Sequence, residues 1–307
     1  MKDYAEPILI LVGLVSIMIL STMGPDNQSS GSRAGTNSGG FLENSDESGQ
    51  AITSSNSPYE NSVSVSYGNA AYAIQSYEEY ITLTNYGKES LNITDWQIKN
   101  GKDKRTYYLN GSLQRFVSDI ATIPQGTLFI SPDSNNRMQD IILETGESAI
   151  LTTGRLGSQF PYKIVSFKEN KCSGYLENMP EYDFSPSLSS NCPLPRNTFG
   201  LEVMDTECRR FVERLPSCQT PEFGGKDKND NPCPNCVNGT QLSSTCTTFT
   251  KINVSYAGCV ASHLNDPDFS GHTWRVFLGH GWEMWAEQYE TIEIFDNIGR
   301  LVHSSSY

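Results

Sequence analysis

The chain has 307 residues, 37% hydrophobic and 19% charged, which is enough for one large or two small domains. Thirty-five acidic against 22 basic side chains leave a formal net charge of −13. That balance excludes a surface built to grip a nucleic-acid backbone, which needs clustered Lys and Arg; the densest basic run, Lys99 to Arg105, is interrupted by Asp103 and reads as a solvated loop.

Residues 1–7 form a short flank. Residues 8–23 (ILILVGLVSIMILSTM) come next, without a charge. At 1.5 Å per residue they cover about 24 Å, slightly less than a bilayer core of ~30 Å. A cleaved signal peptide is the rival reading, but Ser21-Thr22-Met23 is a poor small-residue cleavage site. An uncleaved anchor is the preferred expectation. Arg33 is the only Lys or Arg between the span and Lys88, so the positive-inside rule puts the C-terminal side of the span outside. The expectation is a single-pass membrane protein with an extracytoplasmic C-terminal domain, secreted if the segment is cleaved. Residues 24–60 hold 21 Ser, Gly, Asn or Thr and too little apolar surface to offset ordering. They read as a flexible tether reaching roughly 35 Å.

From residue 61 the pattern turns to β. Ser62–Tyr67 alternates Val63, Val65 and Tyr67, and Tyr80–Asn85 alternates Ile81 and Leu83. In Leu91–Ile98 the apolar parity switches between Ile93 and Trp96, which predicts a bulge near Thr94–Asp95. Gly126–Ile130, Ser148–Thr152, Trp274–Leu278 and Thr291–Phe295 read as further strands, and Asp296-Asn297-Ile298-Gly299 supplies a turn before Arg300–His303. Short alternating strands between turns predict an antiparallel sandwich.

Residues 156–270 interrupt that pattern with an insertion rich in Pro, Asn and Asp. It contains all eight cysteines: Cys172, Cys192, Cys208, Cys218, Cys233, Cys236, Cys246 and Cys259. An even set in a loop-rich stretch reads as a disulfide framework in an oxidising compartment. Proximity along the chain suggests Cys172–Cys192, Cys208–Cys218, Cys233–Cys236 and Cys246–Cys259. Two helices are predicted here. One is capped by Asp205 and runs over Thr206–Leu215. The other spans Thr247–Tyr256, places Phe249 and Ile252 on one face, and ends near Gly258 as a C′ residue. Each would start beside one cysteine and close on the next, as a degenerate repeat of a stapled helix.

Glu79, Tyr80, Ile81, Leu83 and Asn85, followed by Leu91, Ile93 and Trp96, form an E-Y-I-x-L-x-N strand leading to an L-x-I-x-x-W strand. Pro124-x-Gly126, the stretch LETGESAILTTG (143–154) and the closing ETIEIFDNIGRLVHSSSY (290–307) come after them in order. This series resembles the lamin tail domain over about half of the folded region. The resemblance implies an immunoglobulin-like antiparallel β-sandwich. The insertion is similar to the cysteine-bearing insert of lamin-tail proteins on prokaryotic surfaces, in NKCSGYLE (170–177), CRRFVERLPSC (208–218) and GCVASHLNDPDF (258–269). The family carries no agreed catalytic residues, and the resemblance implies a docking or adhesive role.

A search for chemistry finds three places. Cys233-Pro-Asn-Cys236 is open to disulfide, redox or zinc readings, the last with Cys246 and Cys259. His263 with Asp266 and Asp268 offers metal-type ligands but sits in Asp-Pro turn chemistry. Trp274, Trp282, Trp285 and Tyr289 form an aromatic group, read as sandwich core or a partner surface. H-E-x-x-H, G-x-S-x-G and P-loop motifs are absent from the sequence, and His280 in Gly279-His280-Gly281 reads as a surface turn. Asn92, Asn110, Asn238 and Asn253 each open an N-x-(S/T) sequon. No catalytic, cofactor-binding or metal-ligating residue is assigned. The expected partners are the membrane through residues 8–23 and a protein or cell-surface ligand, with no nucleic acid. A non-catalytic binding module is the leading expectation. An enzyme using the insertion and a self-associating surface protein are the alternatives.

Overall fold

In the computed structural model, residues 57–156 and 160–307 are described. The apolar segment at 8–23 and most of the tether lie outside them. Among the described residues no helix is long and apolar enough to cross a membrane. The tether's last residues do belong to the fold: Ser57 is buried, donates its N–H to the Leu301 carbonyl at 3.1 Å and donates Oγ–H to Asp296 Oδ2 at 2.9 Å.

The protein is mainly β, with 27% strand and 15% helix. The first half runs β1 (Val63–Ser66), β2 (Tyr80–Asn85), β3 (Leu91–Asn92), β4 (Gln97–Asn100), β5 (Thr106–Leu109), β6 (Ser112–Arg115), β7 (Ile120–Thr122), β8 (Ile142–Leu143), β9 (Ser148–Thr152) and β10 (Phe167–Asn170). Then come α1 (Gly174–Glu177), α2 (Thr206–Val212), β11 (Cys236–Val237), β12 (Thr240–Gln241), α3 (Ser244–Asn253) and α4 (Tyr256–His263). β13 (Ser270–Phe277), β14 (Thr291–Phe295) and β15 (Leu301–Ser306) close the chain.

One sheet has five strands in the order β1-β2-β9-β13-β10, and another has four in the order β15-β14-β4-β7. Period-two alternation turns one face of each toward a shared apolar core. Ile81, Leu83, Ala149, Leu151, Trp274 and Val276 come from the first sheet, and Ile98, Ala121, Ile292, Ile294 and Val302 from the second. Trp96 is 1% exposed and stacks on Tyr59 at 5.5 Å between centroids.

Three local expectations are corrected. The parity switch near Thr94–Asp95 is a corner between sheets rather than a bulge. β3 pairs with β8, β4 pairs with β7 and β14, and Asp95 turns the chain at φ 64°. Gly126–Ile130 is not a ladder strand, since only single bridges form there, Gly126 to Gln139 and Thr127 to Phe167. The pairing is not wholly antiparallel either, because β9 and β13 run parallel with Ile150 opposite Arg275. Parallel neighbours require a long crossover, and the insertion is that crossover.

β13 shows how the insertion sits on the sheet. Trp274 and Val276 face the core shared by the two sheets, while Phe277 packs against a second core. That second core gathers Phe167, Leu176, Phe184, Val212, Tyr256 and Phe269, with six of the eight cysteines among them. Arg275 is 4% exposed and ties the two parts together. Its Nε donates to Glu169 Oε1 at 2.5 Å, and its Nη atoms donate to the Pro186 and Ser187 carbonyls at 2.5 and 2.8 Å. A buried guanidinium is tolerable only because each direction meets an acceptor.

Candidate functional site

The disulfide-linked insertion is the part of the chain whose surface is set by covalent bonds as well as by packing. All eight cysteines are paired, as Cys172–Cys259, Cys192–Cys218, Cys208–Cys246 and Cys233–Cys236. Only the last obeys the proximity rule. The expected Cys172–Cys192, Cys208–Cys218 and Cys246–Cys259 pairs are overturned, because pairing depends on Cβ approach in space, and here the partners lie 87, 26 and 38 residues apart.

The helices explain the change. Asp205 caps α2 by accepting from Cys208 N at 2.8 Å, and Ser243 caps α3 by accepting from Cys246 N at 3.1 Å. The Ser243 hydroxyl also donates to Asp205 at 3.4 Å. The two helix starts are therefore neighbours, and Cys208–Cys246 joins helix to helix. The stapled-helix repeat is replaced by one cross-linked pair. α2 ends at Val212, three residues before Leu215. α3 ends at Asn253, Ile252 is 61% exposed, and Gly258 lies within α4 rather than at a C′ position. A Cβ at Gly258 would meet the Ile252 and Asn253 carbonyls, the latter at 2.6 Å, so glycine permits the close approach of α4 to the end of α3.

The readings of Cys233-Pro-Asn-Cys236 separate cleanly. Both cysteines are buried, at 5% and 0% exposed, Cys233 in the loop before β11 and Cys236 at its first position, away from any helix start. Cys246 and Cys259, which a zinc set would need, are bonded to Cys208 and Cys172. His263 Nδ1 lies 2.8 Å from Asp266 Oδ2, and Lys171 Nζ lies 3.0 Å from Asp266 and 2.5 Å from Asp268. The Lys171 ammonium occupies the place a cation would take. The His263 contact, then Lys171, hold the Asp266 carboxyl below its ordinary range, and Lys171 does the same for Asp268. Among the described residues no three His, Cys, Asp or Glu side chains converge as a metal site. His280 meets Trp282 edge-on at 5.8 Å. The aromatic group divides. Trp274 and Trp285 are core, while Trp282 and Tyr289 are 58% and 86% exposed.

The insertion's recess lies between α2 and the β11–β12 hairpin, with a volume of about 810 Å³. Phe211, Leu215, Val237 and Leu242 line it, with Arg210 and Arg214, the acidic Glu207, and the polar Asn238 and Thr240 on the same lining. Cys208–Cys246 and Cys233–Cys236 fix its two walls. Both arginines are exposed, and neither forms an ion pair among the described residues. The R-R-x-x-x-R spacing over Arg209, Arg210 and Arg214 was the available signal for this face, since a helix over Thr206–Leu215 would put Arg210 and Arg214 on one side; α2 itself stops at Val212, and Arg214 lies in the turn that follows.

Buried carboxylates, invisible to motif reading, build the segment that carries Trp285. Glu79 is fully buried and accepts from Met284 N at 2.7 Å and Trp285 N at 3.1 Å; burial pushes its carboxyl up despite these bonds. Glu290 Oε1 accepts from Gly101 N and Thr291 N, each at 2.8 Å. Asn85, also buried, donates to the Glu89 and Leu143 carbonyls at 2.9 Å and accepts from Gly87 N at 2.8 Å, which holds the turn after β2.

A comparison of the chain with protein-family models, curated proteins and solved structures finds no match to any of them.

Proposed function

We propose that this chain is a membrane-tethered, extracytoplasmic binding protein of the lamin-tail type. On this reading an immunoglobulin-like sandwich displays a disulfide-locked, partly helical insertion to a partner at the cell surface. Four disulfides suit an oxidising compartment, in keeping with the apolar segment at 8–23. Two sheets over one core suit a sandwich. The polar residues of the lamin-tail-like motifs support the likeness, since Glu79, Asn85 and Asp296 are buried and pin turns.

The observation that carries the binding role is the recess between α2 and β11–β12. It combines apolar area from Phe211, Leu215 and Val237 with the unpaired guanidinium groups of Arg210 and Arg214 on a cross-linked frame. Arginine presents a planar fork to carboxylates, and a rigid frame reduces the entropy lost on binding. The partner it suits is an acidic segment of an envelope protein. In cells displaying the full chain, R210E/R214E should lower photo-cross-linking from the recess to envelope proteins at least tenfold, with all four disulfides retained. Unchanged cross-linking sinks the proposal. Concentration-dependent sedimentation of the full chain in detergent, abolished by the same variant, would identify the partner as a second copy.

A further inference from the structure

We infer that Asn110 and Asn238 carry N-linked glycans, whereas Asn92 and Asn253 do not. This rests on the extracytoplasmic placement proposed above. The four sequons among the described residues are equal as sequence patterns. They differ in the two groups that a glycan transfer needs, a free asparagine amide and an accessible hydroxyl two residues on.

At Asn92 and Asn253 both groups are committed to the fold. Asn92 Nδ2 donates to Asp140 at 2.9 Å, and Thr94 is 7% exposed with its Oγ1 accepting from Ile141 N at 2.7 Å. Asn253 Nδ2 donates to the Phe249 carbonyl at 2.8 Å from the last turn of α3, and the Ser255 hydroxyl caps α4 by accepting from Gly258 N at 3.1 Å. In the folded chain a transferase can engage neither the amide nor the hydroxyl at these two sites without opening a helix end, a turn or a buried bond.

Asn110 and Asn238 are the reverse case. Each is the first residue of an Asn-Gly hairpin turn, with φ 49° at both asparagines and 81° and 74° at Gly111 and Gly239. Two consecutive positive φ values are the signature of the tight turn that matches strand twist. The pairing Leu109 to Ser112 and Val237 to Thr240 puts each asparagine at a hairpin tip. Asn110, Ser112, Asn238 and Thr240 are all exposed, and none of their side chains makes a hydrogen bond among the described residues; Asn238 and Thr240 also stand on the lining of the recess, so a glycan at Asn238 borders the binding surface proposed above. A Cβ at Gly111 would meet nothing within 4 Å, so there is open space beside Asn110 at this tip, and at Gly239 the one neighbour within 4 Å is Lys228 Cγ at 3.9 Å. At Asn110 the glycan also stands over exposed apolar surface. β5 and β6 pair only with each other, and Tyr108, Leu109 and Leu113 are exposed. Such an edge invites unwanted pairing unless something covers it.

The donor is a polyprenyl phosphate- or pyrophosphate-linked oligosaccharide. The Asn Nδ2 forms a bond to the anomeric carbon, the C–O bond to phosphate breaks, and the lipid phosphate leaves with the electron pair. The amide proton passes to a base of the transferase.

The test is glycopeptide mass spectrometry on the full chain from its own host membranes, together with a membrane-impermeant surface label and a count of disulfides. Glycan should be found on Asn110 and Asn238, with Asn92 and Asn253 bare. S112A and T240A should each remove one glycan, keep the asparagine and keep the four-disulfide mass. A surface-labelled, fully oxidised chain with Asn110 and Asn238 bare, or with the glycan on Asn92 or Asn253, overturns this inference and leaves the binding proposal standing. Occupancy of one tip alone overturns it for the other. A chain that is unlabelled and carries free thiols overturns both.

Discussion

Removing Cys172–Cys259 should do more damage than removing any other cross-link. This bond joins Cys172, two residues past β10, to α4 and closes a separation of 87 residues, against 3 for Cys233–Cys236. The loop-closure relation puts the first at about 4.6 kcal/mol and the second at about 1.6 kcal/mol. Alanine is the right replacement, since Cys172 and Cys259 are 0% and 5% exposed and a buried serine hydroxyl would add its own penalty. About 4.6 kcal/mol is a large part of the ~5–15 kcal/mol that holds a domain folded. It corresponds to roughly three decades in an opening equilibrium. Amide exchange read segment by segment should show α1 and α4 losing that protection in C172A/C259A, with β2 and β9 changing far less. Tryptophan emission serves as the control, because Trp96, Trp274, Trp282 and Trp285 all lie outside 156–270. C233A/C236A should cost about 3 kcal/mol less. The connectivity itself is checked with single C172A, where alkylation must find the freed thiol on Cys259. A freed Cys192, or equal losses in the two double variants, would refute the reasoning.

Asp296 provides a pH test. Burial alone would raise its carboxyl, but bonds from Arg300 N, Arg300 Nε and Ser57 Oγ outweigh that and hold it below the ordinary aspartate value. Its stabilisation is therefore fully present above the unfolded aspartate pKa and is lost as pH falls through the lower folded one. D296N should lose about 2 kcal/mol at neutral pH, and its urea midpoint should converge on that of the native chain in acid; a constant gap would count against this account. G174A should destabilise the insertion by about 1–3 kcal/mol, because the added Cβ meets Cys218 Sγ, the Ser189 carbonyl at 2.8 Å and Cys192 Sγ at 3.0 Å. Thermal melting within error of the native chain would contradict it. W274A removes a side chain that is 1% exposed, together with its Nε1 bond to the Ile142 carbonyl. It should cost about 3–5 kcal/mol, and a loss under 1 kcal/mol in urea unfolding would show that the core between the sheets is not as described.

Much of this protein is decided over a few residues, and that part is readable along the chain. The alternation of Ile81 and Leu83 sets the buried face of β2, because successive side chains point to opposite sides of a strand. Asp205 starts α2 because a carboxylate three residues ahead satisfies Cys208 N. Asp296 to Gly299 turns the chain because Asp296 accepts from Ile298 N and Arg300 N within its own loop. The apolar run at 8–23 and the confinement of the cysteines to one insertion are likewise plain from composition.

The rest depends on distances that sequence separation does not measure. Cys208 finds Cys246 because two capped helix starts are neighbours, not because it lies near Cys218. β13 joins β9 in parallel because a long insertion lets the chain return in the same direction, and no local pattern encodes direction. Ile93 and Trp96 change parity because the chain passes from one sheet to another. Glu79 and Asn85 look like ordinary surface polar residues until the fold surrounds them with backbone groups that need partners. The four sequons among the described residues become two free and two committed for the same reason. Short-range propensities act between residues a few positions apart, while burial, pairing and cross-linking act between atoms that only the folded chain brings within reach.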